Sequence, residues 1–148
     1  MNPTAMLRAF CDAVEQRNGK AFADLFTEDG VYHDVFYGPF KGRTKIAEMI
    51  DDWFHRTARD FRWEMFRPVS DGKTLYAYYT FSYVSTLPEA NGKRVGFDGV
   101  SMMQLRDGLI TEYLAPDGWV TAKSKKPDAQ VHPSPVQRSR CTAYVSCF

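Results

Sequence analysis

The residues with the strongest claim to chemistry are His33-Asp34. They stand between Val31 and Val35 in an aromatic stretch that includes Tyr32, Phe36 and Tyr37. Apolar surroundings penalise a carboxylate's charged form, which tunes the group toward proton exchange near neutral pH. If Val31–Tyr37 is a strand, its period of two puts Tyr32 and Asp34 on one face. Val31, His33 and Val35 then fall on the other. Asp34 is either a pocket group or the residue that opens the Val35–Gly42 loop by capping a backbone amide.

Other polar side chains share faces with apolar ones. Tyr79 and Tyr83 alternate in phase with Leu75 and Phe81, Ser101 is in phase with Met103 and Leu105, and Glu112 and Tyr113 point to opposite sides of the last strand. A buried tyrosine either donates to a developing oxyanion or is a core aromatic with its hydroxyl satisfied by backbone. Trp53 and Trp63 read as core or pocket wall. Arg43, ahead of a helix, reads as the partner of a surface carboxylate. The candidate catalytic set is Asp34, Tyr79 and Tyr113. Tyr32, Trp53, Trp63, Phe81, Tyr83, Ser101 and Met103 are candidates for contact with a ligand. No metal is expected, because His33, His55 and His132 are far apart and no His-x-His or Cys-x-x-Cys occurs. Gly92, Gly96 and Gly99 lack the strand-turn-helix context of a phosphate loop, and no nucleophile motif appears. No cofactor is expected.

The positioning elements follow from the hydrophobic period. Asn2-Pro3-Thr4 is a helix start, and Met6, Leu7, Phe10, Ala13 and Val14 supply its apolar stripe until Asn18-Gly19. A short helix over about Lys20–Phe26 and a turn at Thr27–Gly30 come next, then the Val31–Tyr37 strand, which Gly38-Pro39 breaks. Thr44 is the expected cap of a helix over about Lys45–Ala58, with Ile46, Met49, Ile50, Trp53 and Phe54 on one face. Thereafter the period becomes two, with turns at Asp71-Gly72, Asn91-Gly92 and Asp107-Gly108. Helices first and a strand meander afterwards predict an α+β fold, with about three N-terminal helices on one face of an antiparallel sheet. Strands this long coil, so the sheet should curve and leave a conical space beneath the helices.

The 148 residues suit one domain, at 44% hydrophobic and 25% charged. Sixteen of the 22 aromatics lie between Phe22 and Tyr83, which suits a bulky core or a pocket for a flat apolar ligand. The net charge of +1 offers no field for nucleic acid, and no apolar run spans a bilayer. No signal pattern opens the chain, and the three cysteines lack metal spacing, so a reduced, cytoplasmic protein is expected. Residues 1–118 read as the domain. Residues 119–148 carry five basic residues against Asp128 alone and three prolines, and read as a loosely structured tail.

Two stretches carry a resemblance. They are Phe26-Thr27-Glu28-Asp29-Gly30-Val31-Tyr32-His33-Asp34 with Gly38-Pro39-Phe40-Lys41-Gly42-Arg43, and Leu105-Arg106-Asp107-Gly108-Leu109-Ile110-Thr111-Glu112-Tyr113. Over about Met6 to Asp117 the chain resembles the SnoaL-like polyketide cyclases. More broadly it resembles the superfamily of ketosteroid isomerase, limonene epoxide hydrolase, scytalone dehydratase and nuclear transport factor 2. The resemblance implies a cone-shaped α+β barrel, often dimeric through the outer sheet face. It places Asp34 where ketosteroid isomerase has its base. The isomerase's oxyanion donors, a first-helix tyrosine and a late-strand aspartate, fall at Phe10 and Ser101. The expectation is a cofactor-independent isomerase, cyclase or lyase acting on a small apolar carbonyl compound. A dehydratase, an epoxide hydrolase and a non-catalytic binding or dimerisation module are the alternatives. A fold shared by so many activities does not choose among them.

Overall fold

The structure, a computed structural model, describes residues 2–115 and the backbone of 121–124. Helix α1 (Pro3–Glu15) starts as its sequence suggests. Asn2 Oδ1 accepts from Ala5 N at 2.8 Å and Pro3 occupies the first turn. Asn18-Gly19 closes α1, with Asn18 N donating to Ala13 O at 2.8 Å, and also opens α2 (Gly19–Ala23), with Asn18 Oδ1 accepting from Ala21 N. Gly19 is needed there, because an added Cβ would lie 2.4 Å from Ala47 O.

Strand β1 (Phe26–Asp34) swallows the expected turn at Thr27–Gly30, and β2 (Gly38–Lys41) includes the expected breaker Gly38-Pro39. The turn residues survive as a bulge. Phe26 pairs with Ile110 and Val31 with Glu112, so four residues of β1 oppose Thr111 alone. Helix α3 (Arg43–Asp51) is shorter than its apolar period suggested. It starts after Gly42, not Thr44, and Trp53 and Phe54 fall on a 3-10 turn, Trp53–Arg56. Arg43 pairs with Glu28 at 2.8 Å, on the surface as expected.

The long strands β3 (Ala58–Ser70), β4 (Thr74–Ser85) and β5 (Arg94–Arg106) and the shorter β6 (Leu109–Leu114) form the meander. Asp107 and Gly108, at φ 53° and 76°, make the tight β5–β6 hairpin. The sheet order is β2-β1-β6-β5-β4-β3. It is mixed rather than wholly antiparallel, because β1 runs parallel to β6. Strand β7 (Thr121–Ser124) pairs with Val95–Asp98 of β5, beyond the stretch that β6 occupies. Those four residues fall in the expected tail, whose remainder lies outside the described residues. No helix among the described residues is long and apolar enough to cross a membrane.

The sheet wraps α1. In a flat sheet β1 and β3, four strand spacings apart, would lie roughly 19 Å from each other. The Phe10 ring nevertheless lies 6.5 Å from Tyr32 on β1 and 5.2 Å from Trp63 on β3. It also touches Phe22, Phe26 and Tyr113, and is fully buried. One ring reaches β1 and β3 together only if the sheet curls around it. Phe10→Ala should therefore lower unfolding stability by about 3–5 kcal/mol, the usual cost of emptying a large aromatic site. Urea unfolding followed by far-UV circular dichroism measures it.

Candidate active site

The inner face of the curled sheet encloses a cavity of about 170 Å³. Asp34 ends β1 at its edge. The carboxyl turns back on the chain, and Oδ1 accepts from Phe36 N and Tyr37 N, each at 2.9 Å. These bonds hold the Val35–Tyr37 turn that leads into β2. Asp34 thus both caps the loop and lines the cavity, so the two readings of this residue coincide. Burial raises its pKa, and the two amide bonds pull in the opposite direction without cancelling the effect. Both bonds fall on Oδ1, and neither engages Oδ2.

The parallel pairing of β1 and β6 sets Tyr32 opposite Tyr113. The rings stack at 4.5 Å with 11° between their planes. Tyr113 Oη lies 2.9 Å from Ser101 Oγ, and both side chains are buried. Burial, then the neighbouring phenol of Tyr79, raises the Tyr113 pKa well above its ordinary value. Burial likewise raises Tyr32, with Tyr113 and Asp34 contributing. Tyr83 is pushed up to about 12 by burial, then by Tyr37 and Asp34. All three phenols are therefore neutral at physiological pH. His33 points to the outer face, where Nε2 meets Glu112 Oε1 at 2.8 Å, in keeping with strand parity.

Seven of the expected site residues line the cavity: Asp34, Tyr79, Tyr113, Tyr32, Trp63, Phe81 and Tyr83. Three do not. Ser101 sits behind Tyr113, and Met103 is sealed in the core beyond it. Trp53 stands edge-on to Tyr37 and Phe40, with the Arg56 guanidinium 4.1 Å above its ring. Trp63 meets Phe10 and Tyr113 in T-shaped contacts at 84° and 80°, and its Nε1 has no acceptor among the described residues. Phe10 itself lies beneath the cavity, under Tyr32, Trp63 and Tyr113.

Sequence reasoning missed Phe61, Phe97, Phe36, Tyr37 and Leu87 in the lining. Phe97 shares the inward phase of Ser101 on β5, and Phe61 that of Trp63 on β3, so alternation carried a signal for both. Phe36 and Tyr37 lie in a turn, where no period operates. Among the described lining residues Asp34 is the sole carboxylate, and there is no lysine or arginine. The described residues hold no cluster of three or more His, Cys, Asp or Glu placed for a metal ion.

The SnoaL-like domain profile matches residues 7–113. A comparison with curated proteins finds no match. Among solved structures, the chain resembles a Catenulispora acidiphila hypothetical protein with a ketosteroid isomerase-like fold, determined in complex with trimethylamine. The identity is 16%, the TM-score 0.68, and the coverage 78% of this chain and 86% of that one. It also resembles an LEH-like epoxide hydrolase from M. tuberculosis, at 20% identity and TM-score 0.58, over 75% and 80% of the two chains. A candidate polyketide cyclase from Xanthomonas campestris matches at 22% identity and TM-score 0.61, over 76% and 87%. Identities this low establish a shared fold.

The Asp34 environment has a consequence for stability. A carboxyl whose folded pKa is raised contributes stability at low pH, which is lost as pH rises through the folded value. Asparagine keeps an oxygen for the Phe36 and Tyr37 amides without the buried charge. Asp34→Asn should therefore melt at or above the wild-type temperature at pH 7. The difference should shrink as pH falls below the ordinary carboxylate range. Differential scanning fluorimetry across pH tests this, and a variant that melts well below wild type at pH 7 would refute it.

Proposed function

The chain belongs to the SnoaL-like domain family, and on that premise we propose that it is a proton-transfer enzyme acting on a small, neutral, ring-sized carbonyl compound. One observation carries the reading. A single carboxyl, its pKa raised by burial, faces a largely aromatic and aliphatic cavity in the company of neutral phenols. In this scheme Asp34 takes a proton from the carbon beside the carbonyl. The C–H electron pair forms the enolate double bond, and the carbonyl pair moves onto oxygen. A phenol among Tyr79, Tyr83 and Tyr113 donates to that oxygen, and Asp34 returns the proton to the same or another carbon. Isomerisation, ring closure and elimination all follow from such an enolate. The step moves only a proton, so it calls on no redox group.

Size and charge support the substrate class. An apolar cavity of about 150 Å³ takes benzene, so about 170 Å³ suits one ring or a compact bicycle. With Asp34 as the sole carboxylate and no lysine or arginine in the described lining, and with His33 turned to Glu112, an anionic group inside would meet repulsion without a counter-charge. Epoxide hydrolysis fits less well, since a water held jointly by an acid and a base usually requires two carboxylates and an arginine. The oxyanion arrangement also differs from that of ketosteroid isomerase. Phe10 cannot donate, and Ser101 is engaged with Tyr113.

Deuterium exchange tests the assignment before the natural substrate is identified. Wild-type protein in D₂O should accelerate loss of the α-CH₂ proton signal of 2-indanone above the buffer rate. Asp34→Asn should reduce that acceleration at least about 10²-fold, the lower bound for losing a positioned general base. The wild-type rate should fall as pH drops through the raised Asp34 pKa, because only the carboxylate accepts a proton. Equal exchange by the two proteins would remove Asp34 from the mechanism.

A further inference from the structure

Of the phenols that line the cavity, Tyr32 and Tyr79 are buried, Tyr79 not without a partner, and Tyr37, Tyr113 and Tyr83 are told apart by what their hydroxyls engage. Tyr37 Oη donates to Trp53 O at 3.2 Å and lies 3.3 Å from Thr57 Oγ1. Tyr113 Oη is engaged with Ser101, and its ring is buried under the Tyr32 stack. Tyr83 differs. It is half-buried, it lines the cavity, and its hydroxyl makes no hydrogen bond among the described residues. Its ring is nonetheless held in place, with Phe61 and Phe81 at 5.9 Å and Phe97 at 6.1 Å between centroids. A fixed phenol with an unused O–H beside an apolar cavity is a donor waiting for an acceptor. Its phenol lies within electrostatic reach of Asp34, and burial keeps it protonated at physiological pH.

The geometry points to Tyr83 as the catalytic donor that binds the ligand's carbonyl oxygen, with Asp34 facing the adjacent carbon of the same ligand. This rests on the carbonyl-substrate reading above and names the phenol that reading left open. Tyr113 then acts behind it, as the buried ring against which Tyr32 is stacked. The assignment also accounts for the position of Tyr83 on β4. It shares the inward phase of Leu75, Ala77, Tyr79 and Phe81, but lies nearer the strand's C-terminal end than any of them, and its side chain is less buried than Leu75, Ala77 and Tyr79.

Binding tests this without turnover. Wild type should bind 2-indanone more tightly than indane, its oxygen-free counterpart, by calorimetry. Tyr83→Phe should cut the 2-indanone affinity roughly 3- to 10-fold, the range for one neutral hydrogen bond, and leave indane unchanged. The ¹³C carbonyl resonance of bound 2-indanone should move downfield in wild type and return toward its free value in Tyr83→Phe. Tyr113→Phe and Asp34→Asn should both retain the preference for ketone over hydrocarbon. The assignment is overturned if wild type shows no such preference, if Tyr83→Phe keeps it, or if Tyr113→Phe abolishes it instead. Loss of the preference in Tyr83→Phe without any wild-type deuterium exchange would sustain Tyr83 as the anchor while refuting proton transfer. Exchange with unaltered binding by Tyr83→Phe would do the reverse.

Discussion

The structure depends on one packing constraint: the Phe10 ring on α1 must meet β1 and β3 at once, four strand spacings apart in the sheet. Aromatic side chains bury large areas and pack edge-to-face or offset. Phe10 does so with Phe22, Phe26, Tyr32, Trp63 and Tyr113 together. To bring β1 and β3 to the same ring, the strands between them must coil. The bulges of β1 and β3 allow this. A curled sheet filled by a helix at one end is hollow at the other. The rings that touch Phe10 from above (Tyr32, Trp63 and Tyr113) form the floor of that hollow.

Asp34 shows how one residue serves fold and site together. The turn after β1 needs an acceptor for two backbone amides, and the short side chain of an aspartate or asparagine supplies it through Oδ1. Any such residue would satisfy the turn. Only an ionisable one leaves a second oxygen able to take a proton, and burial makes that ionisation costly. The charged form is thus unfavourable for stability in these surroundings. The phenols of Tyr32, Tyr83 and Tyr113 stand around Asp34, kept protonated by the same burial.

Several local features were legible from residue order. The α1 stripe and its Asn2 cap, the inward phase of Leu75 to Tyr83, the opposed faces of Glu112 and Tyr113, and the three glycine turns each depend on neighbours a few residues away. Other features depended on distant pairing and were misread. Thr27–Gly30 has turn chemistry, yet pairing with β6 absorbed it as a bulge. Trp53 continues the α3 period, yet the helix stops at Asp51 and the ring turns away from the cavity. Thr121–Ser124 lacks a marked pattern, and becomes a strand because β5 offers an edge beyond β6.

By itself, then, the sequence determined the α+β class, the side of each strand that faces inward, and Asp34 as the residue to examine, because caps, periods and turns are written in short-range order. The tertiary structure alone decided which inward residues meet. The parallel β1–β6 register set Tyr32 against Tyr113, and curvature brought Tyr83 toward Asp34. Ser101, Met103 and Trp53 were left outside the cavity although their local patterns matched those of residues inside it. Strand period says which face a side chain occupies. Where along a coiled sheet that face encloses space is fixed only by packing among segments far apart in the chain.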